Sequence, residues 1–328
     1  MVKIIKNKVM GRMGGGGGGG GGGTTPPAST GGARTFTFLQ APTTVSSVMS
    51  GSAAMADGSS ISTWRFGDGF NGDRTVPSPV IEATEGDNVE ITLSSMMPHT
   101  IHLHGLDVDQ QNDGVPTTSF EVQGSYTYTF TAPHAGTYMY HCHVNTNQHY
   151  EMGMFGTIII RPSNGSTNTI WNNGPTFDKE YVWQLTTFDS TWHSGMGGGG
   201  MGGGGGSNLT RYSPDYFMIN GIDGSNINSD STSAITASAG QRVLVRLNGT
   251  SYLPGIVRMG GLPFEVVASD GRPLAQSYIA TEQLVCAGQR YDIIVTMPSS
   301  GQYTGSIEYR NIQNSAVLGV ASAAITIT

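Results

Sequence analysis

Short runs in which apolar and polar residues alternate recur along most of this 328-residue chain. Examples are TFTFL at 35–39, SYTYTFTA at 125–132 and GTYMYH at 136–141, and turns rich in Gly, Pro, Asn and Asp separate them. A period of two is typical of a β-strand with one buried face. No apolar pattern of helical period extends beyond a turn or two, so the sequence predicts an all-β fold.

The alternation occurs in two blocks of similar length, which predicts two tandem β-sandwiches. The predicted segments are a Gly-rich tail at 1–33, a first sandwich at 34–162, a linker at 163–177 and a second sandwich at 178–328. A Gly/Met block at 195–206 interrupts the second sandwich. We expect the tail and the block to be flexible linkers. The alternative is that thioethers such as Met196 and Met201 collect Cu(I).

Charge and composition exclude several classes of protein. The 16 Lys and Arg residues are outnumbered by 23 Asp and Glu residues, and the net charge of −7 argues against a nucleic-acid partner. Two cysteines, Cys142 and Cys286, cannot form a disulfide framework. No stretch is long and apolar enough for a transmembrane helix. The basic opening MVKIIKNKVMGRM runs into glycines where a secretory signal needs an apolar segment, so no signal peptide is recognisable.

The motif HTIHLHG at 99–105 carries three histidines. Side chains alternate between the two faces of a strand. His102 and His104 are therefore expected to point the same way, with His99 on the opposite face or in the preceding turn.

The second motif, YHCHVNTNQHYEMGM at 140–154, repeats this arrangement. His141 and His143 share one face of the predicted strand, and Cys142 points to the other. His149 and Met154 follow in a segment that we expect to be a loop. Both motifs can therefore serve two metal sites at once.

The two sets of side chains suit different copper chemistry. A thiolate, two imidazoles and a long thioether form the soft ligand set of a blue-copper electron-transfer centre. The candidate ligands of this first site are His99, Cys142, His149 and Met154. An all-imidazole group suits copper that binds oxygen species, and its candidate ligands are His102, His104, His141 and His143. Cys142 is covalently continuous with His141 and His143, so electrons have a short through-bond path between the sites.

These motifs resemble the cupredoxin domains of multicopper oxidases. The segments GLDVDQQNDGVP at 105–116 and TAPHAGTYMYHCHV at 131–144 look like the two-domain branch of that family, which is related to small laccases and copper nitrite reductases. The resemblance implies two Greek-key cupredoxin sandwiches, a type 1 copper at the first site and type 2 or type 3 coppers at the all-imidazole group.

The resemblance also implies an activity and a location. We expect a copper-dependent oxidoreductase that passes single electrons from a small-molecule or metal-ion reductant, through the type 1 copper, to oxygen. Proteins of this family work outside the cytoplasm, so a periplasmic or extracellular location is expected.

The chain departs from the family in its supply of histidines. The family builds a three-copper cluster from histidines of two domains, whereas this chain has no histidine after His193. Two first sandwiches can pool their histidines across a two-fold axis, which predicts a homo-oligomer. Alternatively, the four histidines hold one or two coppers in a site like that of a nitrite reductase. A third alternative is that only the type 1 site is filled, which describes a non-enzymatic electron carrier, copper binder or surface structural protein.

The second half carries a degenerate copy of both motifs. Aligning 99–106 with 255–262 places Arg258 under His102, and aligning 136–143 with 305–312 places Arg310 under His141. We therefore expect a repeated backbone frame without metal ligands, that is, a metal-free second sandwich.

Three acids close to the first motif are candidates for proton transfer, because the reduction of oxygen to water consumes protons. They are Asp107, Asp109 and Asp113. Turn-forming surface acids are the alternative interpretation.

Four further residues receive simpler interpretations. We expect His134 and His193 to be solvated histidines in turns, and Cys286 to be a small buried residue at a strand end. Glu151 is a candidate for steering a cationic substrate or electron donor.

Overall fold

The computed structural model of the protein describes residues 38–40, 43–67, 76–194 and 211–328. The predicted tail at 1–33 and the Gly/Met block at 195–206 lie outside the described residues. The described residues form 21 strands, two short α-helices and two 3₁₀ helices. None of these helices has the length and apolar character needed to cross a membrane. The prediction of an all-β fold is confirmed.

Nine strands form the first sandwich. Their bounds are Phe38–Gln40 (β1), Thr43–Ala54 (β2), Ser60–Gly67 (β3), Val80–Thr84 (β4), Asn88–His99 (β5), His102–His104 (β6), Val122–Thr131 (β7), Gly136–His141 (β8) and Phe155–Arg161 (β9). One sheet has the order β1-β4-β9-β8-β6 and the other has the order β3-β2-β5-β7. Ile91 and Tyr128 from one sheet pack against Leu103 and Ile158 from the other in a single buried core.

Twelve strands form the second sandwich. Their bounds are Lys179–Phe188 (β10), Tyr216–Ile219 (β11), Ile222–Asp223 (β12), Ile235–Ala237 (β13), Arg242–Asn248 (β14), Gly255–Met259 (β15), Phe264–Ser269 (β16), Arg272–Ala280 (β17), Glu282–Val285 (β18), Arg290–Thr296 (β19), Gln302–Arg310 (β20) and Val317–Ile327 (β21). One sheet has the order β12-β11-β10-β14-β19-β16-β17 and the other has the order β13-β21-β20-β15-β18. Their facing side chains, including Trp183, Val245 and Ile307, form the second core.

The helices lie in the connections. The α-helices are Thr146–Glu151 (α1) and Ser190–His193 (α2), and the 3₁₀ helices are Gln110–Asn112 and Gly224–Ser229. Strand β9 ends at Arg161 and β10 begins at Lys179. The domain boundaries at 162 and 178 stay predictions.

The larger sheet of the second sandwich is covered on both faces. Alternate side chains of β14, such as Val245, enter the second core, whereas Arg246 and Asn248 point to the first sandwich. The Arg246 Nη1 atom donates a hydrogen bond to Thr137 Oγ1 in β8 at 2.7 Å, and Asn248 Nδ2 donates to Thr157 Oγ1 in β9 at 2.9 Å. The two sandwiches therefore meet through polar side chains of facing sheets, and Val80, Ile159 and Val182 add a buried apolar contact between them.

A row of charges strengthens this contact. Arg161 in β9 forms an ion pair with Glu82 of the first sandwich and, at 2.8 Å, with Glu180 in β10. Glu180 also accepts a hydrogen bond from Arg246 Nε at 2.6 Å. Because these groups are largely buried, each depends on its partners for compensation of its charge.

The strand register corrects the predicted alignment of the repeats. His102 lies opposite His141 in β6 and β8, so the alignment requires Arg258 to lie opposite Arg310. The structure instead pairs Arg258 with Ser306. This register places Val257 opposite Ile307, and both are fully buried in the second core. The aligned register would bring the polar, half-buried Asn311 to that fully buried position, which burial of the apolar face forbids.

Candidate metal centres

The first histidine motif spans the end of one strand and the start of another in opposite sheets. Strand β5 ends at His99, and β6 comprises His102, Leu103 and His104. Leu103 is fully buried in the first core, so the histidines on either side of it point out of the core. His102 lies directly opposite His141, which brings the two motifs together.

One group of side chains combines His99, Cys142 and His149. The Cys142 Sγ atom lies 3.4 Å from His99 Nδ1 and 3.3 Å from His149 Nδ1. The three potential ligand atoms lie within 4.8 Å of one another, and Cys142 and His99 are fully buried. The set of one thiol and two imidazoles fits a soft transition-metal ion such as copper.

Met154 lies beside this group in the same buried core as Cys142. The Cys142 backbone N–H donates to the Met154 carbonyl oxygen at 3.0 Å, and the Met154 N–H donates to the His149 carbonyl oxygen at 3.1 Å. The intervening segment, which we predicted to be a loop, contains α1, and Asn145 starts it in the left-handed region at a φ of 43°. The helix returns the chain so that the backbone of Met154 pairs with that of Cys142.

The second group combines His102, His104 and His141. The His104 Nδ1 atom lies 3.4 Å from His141 Nε2, and the ring centroids of His102 and His141 are 5.0 Å apart. The potential ligand atoms of the three lie within 4.8 Å of one another. His143 lies at the edge of the group, with its ring centroid 5.5 Å from that of His102 and 5.8 Å from that of His141.

Of the three predicted proton-transfer acids, Asp113 contacts this second group, through His102. The His102 Nδ1 atom lies 2.7 Å from the Asp113 carbonyl oxygen and 3.4 Å from its carboxylate. This contact leaves Nε2 of His102 free to face a metal. Asp107 is exposed and forms an ion pair with Arg272 at 2.6 Å. Asp109 caps the first 3₁₀ helix through its side chain.

Burial sets the protonation of the candidate ligands. It lowers the pKa of His99 and of His141 to about 3, and the pKa of His149 to about 4, with small contributions from neighbouring histidines at the first two. These imidazoles are therefore neutral at pH 7 and keep a lone pair for a metal. Burial also raises the pKa of the Cys142 thiol to about 11, so a bound metal must displace the thiol proton.

Two of the simpler interpretations are wrong. His193 is not solvated but 4% exposed, and its Nδ1 atom lies 2.7 Å from the Ser62 carbonyl oxygen. Its Nε2 atom lies 3.4 Å from Glu151, which is also buried. Glu151 therefore cannot meet a substrate from solvent. A single acid and a single histidine so far apart in sequence gave no signal of this pairing.

His134 and Cys286 are each half-buried, whereas we expected a solvated histidine and a buried cysteine. The His134 Nδ1 atom lies 2.6 Å from the Ala135 carbonyl oxygen.

The second sandwich offers no further metal group among the residues that the structure describes. Arg258, which aligns with His102 in sequence, forms ion pairs with Glu282 at 2.8 Å and Glu308 at 2.5 Å. Arg290 of this sandwich, however, lies against the turn that follows His104. Sequence analysis did not identify Arg290, because it belongs to no motif.

Comparisons with known proteins agree with this architecture. Two family models described as multicopper oxidase match the chain at residues 62–165 and 187–327. A multicopper oxidase MmcO from Mycobacterium tuberculosis is 26% identical over 242 residues, which are 68% of this chain and 46% of that protein. A copper-containing nitrite reductase from Neisseria gonorrhoeae is 28% identical over 256 residues, which are 76% of this chain and 60% of that protein.

Among solved structures, the blue copper oxidase from Nitrosomonas europaea is similar at a TM-score of 0.69 and 28% identity. The similarity covers 88% of this chain and 86% of that one. By contrast, the matches to the two curated relatives span only 46% and 60% of their lengths.

Proposed function

Because the chain belongs to the multicopper oxidase family, we propose that it is a copper-dependent oxidoreductase that passes single electrons from a small-molecule or metal-ion reductant to oxygen. The observation that carries this proposal is the position of Cys142 between two groups of metal-binding side chains. Its Sγ atom contacts His99 and His149. The preceding residue, His141, contacts His104 in the all-imidazole group.

Copper is the cofactor of this family, and the donor atoms suit it. In the proposal, a type 1 copper is held by His99, Cys142, His149 and Met154. Type 2 or type 3 coppers are held by His102, His104, His141 and His143. Copper at these residues would supply one-electron redox chemistry at the first group and electron transfer to oxygen at the second.

The chain's own residues prepare both sites for these roles. Burial keeps the imidazoles of His99, His141 and His149 neutral at pH 7 and excludes water from the thiol of Cys142. The peptide bond between His141 and Cys142 provides the short covalent path between the groups. The Asp113 carbonyl orients His102, and its half-exposed carboxylate is our candidate for proton supply. Asp107 and Asp109 stay weaker candidates, because they are engaged by Arg272 and by the 3₁₀ helix.

Four histidines make half of a three-copper cluster, so we also propose a homo-oligomer in which a second copy supplies the rest. An isologous contact between two first sandwiches provides four histidines from each chain. The family resemblance supports a periplasmic or extracellular location.

Nitrite reduction is the second candidate function, supported by the similarity to copper-containing nitrite reductase. A non-enzymatic blue-copper carrier is the third. Copper per chain, the mass in solution and an electron paramagnetic resonance (EPR) spectrum distinguish the three, together with uptake of oxygen or consumption of nitrite under a reductant.

The expected result is about 2.5 coppers per chain in a dimer, that is, one type 1 copper and half of a three-copper cluster. Oxygen uptake that is lost in His102→Ala supports the oxidase. About one copper per chain with a type 1 spectrum alone, and no turnover, refutes both enzymatic functions and favours the carrier.

A further inference from the structure

The second sandwich contributes a cation to the surroundings of the all-imidazole group. Strand β19 begins at Arg290, immediately after a turn that contains Gly288. A Cβ atom added at Gly288 would lie 3.0 Å from His104 Cε1, so the backbone of this turn packs on the imidazole. A Cβ atom added at Gly105 would overlap the guanidinium of Arg290. Two glycines with positive φ, Gly105 at 83° and Gly288 at 77°, thus allow the two sandwiches to meet at His104.

Arg290 is fixed in place by contacts of its own. It is only 2% exposed, its Nη1 atom donates to the Gly288 carbonyl oxygen, and the same atom lies 3.2 Å from Asp270 Oδ1. Its Nε atom is buried and has no hydrogen-bond partner among the described residues. The carboxylate of Asp270 is about half-exposed, so water screens it more than it screens the buried guanidinium. A net positive charge therefore remains beside His104.

The other acid near this position is engaged elsewhere. Asp292, two residues along β19, accepts a hydrogen bond from Thr137 at 2.5 Å and lies 3.5 Å from Arg246 Nη1. Arg246 offsets part of its charge, so Asp292 compensates Arg290 less than Asp270 does.

We propose that the positive charge of Arg290 raises the reduction potential of a copper ion held by the His102, His104 and His141 group. A nearby positive charge destabilises Cu(II) more than Cu(I), because the oxidised ion carries one more charge. The inference rests on the proposed function, and it gives an electrostatic role to the second sandwich, whose described residues form no metal-binding group.

The test compares Arg290→Gln, which removes the charge, with Arg290→Lys, which keeps it, in copper-loaded full-length protein. A titration with dithionite, followed by the EPR signal of the imidazole-bound copper, measures the step from Cu(II) to Cu(I), with one electron supplied by dithionite. We expect Arg290→Gln to favour Cu(II) over Cu(I) about tenfold, which lowers the potential by ~59 mV for one electron. Arg290→Lys should retain most of the potential.

Two further variants define the sign and the specificity of the effect. Asp270→Asn removes the compensating carboxylate but keeps the oxygen that accepts from the Arg290 N–H, so the potential should rise. Arg258→Gln removes an arginine from the other sheet, where Glu282 and Glu308 already pair with it, and the potential should not change.

Each outcome separates charge from packing. An unchanged potential in folded Arg290→Gln protein overturns the inference, and so does an equal shift in Arg290→Lys, which would indicate packing alone. If Arg290→Gln fails to fold, a potential in Asp270→Asn that stays constant or falls overturns it. Failure of the wild-type protein to bind copper at the imidazole group overturns the proposed function as well, whereas copper that binds with an Arg290-independent potential overturns this inference alone.

Discussion

The contact between the two sandwiches should depend on the charge of Glu180, and Glu180→Gln tests this. Burial by itself would raise the pKa of Glu180, but the Arg161 and Arg246 guanidiniums outweigh it and lower the pKa from 4.5 to about 2. The difference, 4.5 minus 2, multiplied by 1.36 kcal/mol per unit gives about 3 kcal/mol. Because the Glu180 side chain is 19% exposed, screening by water reduces the expected loss in Glu180→Gln to roughly 2–3 kcal/mol at pH 7.

The pH dependence follows from the sign of the shift. The pKa of Glu180 is lower in the folded chain than in the unfolded chain, so its contribution to stability is complete above pH 4.5 and is lost as the pH falls through about 2. Urea denaturation followed by circular dichroism, repeated from pH 7 downward, measures the difference between wild type and Glu180→Gln. This difference should shrink across that acidic range.

A matched control is Glu265→Gln. The Glu265 carboxylate lies 3.8 Å from Arg242 Nη2, and both side chains are 34% exposed, so its loss should cost less than about 0.5 kcal/mol. A cost in Glu180→Gln no larger than in this control would refute the argument. So would a difference that stays constant down to the lowest pH at which the protein folds.

Three other predictions concern the metal groups and the buried polar pair. Cys142→Ser should abolish the blue thiolate-to-copper absorption but leave the EPR signal of copper at the imidazole group. Gly114→Ala should lower the melting temperature and the copper content, because Gly114 has a φ of 73° and a Cβ atom would overlap the Ile101 carbonyl oxygen. His193→Ala should lower the free energy of unfolding by about 1–3 kcal/mol, because the buried Glu151 loses one polar partner and keeps the Asp189 N–H, which donates to it at 2.7 Å.

Each of these changes has a matched control in the chain. Cys286→Ser removes the other thiol and should keep the blue absorption. Gly58→Ala places a Cβ atom at a φ of 87° with no atom within 4 Å, so it should cost less than Gly114→Ala. His134→Ala removes a half-buried histidine and should cost less than about 1 kcal/mol. Equal effects in a variant and its control would contradict the corresponding reasoning.

The features that sequence analysis predicted depend on short-range periodicity. The period of two in HTIHLHG places His102 and His104 on one face, and the structure brings both to His141. Leu103, which lies between them, points to the opposite face and is buried in the first core. Backbone geometry alone dictates these relations, so they can be derived without knowledge of what packs on the strand.

The features that sequence analysis missed depend on contacts between segments that are distant along the chain. Glu151 meets His193 and Glu180 meets Arg246, yet no local pattern links the members of either pair. The register of β15 against β20 is likewise determined by which apolar side chains face the core, rather than by the similarity of the motifs. An alignment of motifs contains no information about that choice.

In our proposal the second sandwich influences the metal groups, although its described residues hold no cluster of metal-binding side chains. The sheet of the second sandwich that faces the first presents polar side chains at part of this contact, and in β14 and β19 these are Arg246, Asn248 and Arg290. Two of them hydrogen-bond to the first sandwich, and the third lies beside His104. The interface that holds the sandwiches together is therefore also the route by which the second one influences the electrostatics of the site.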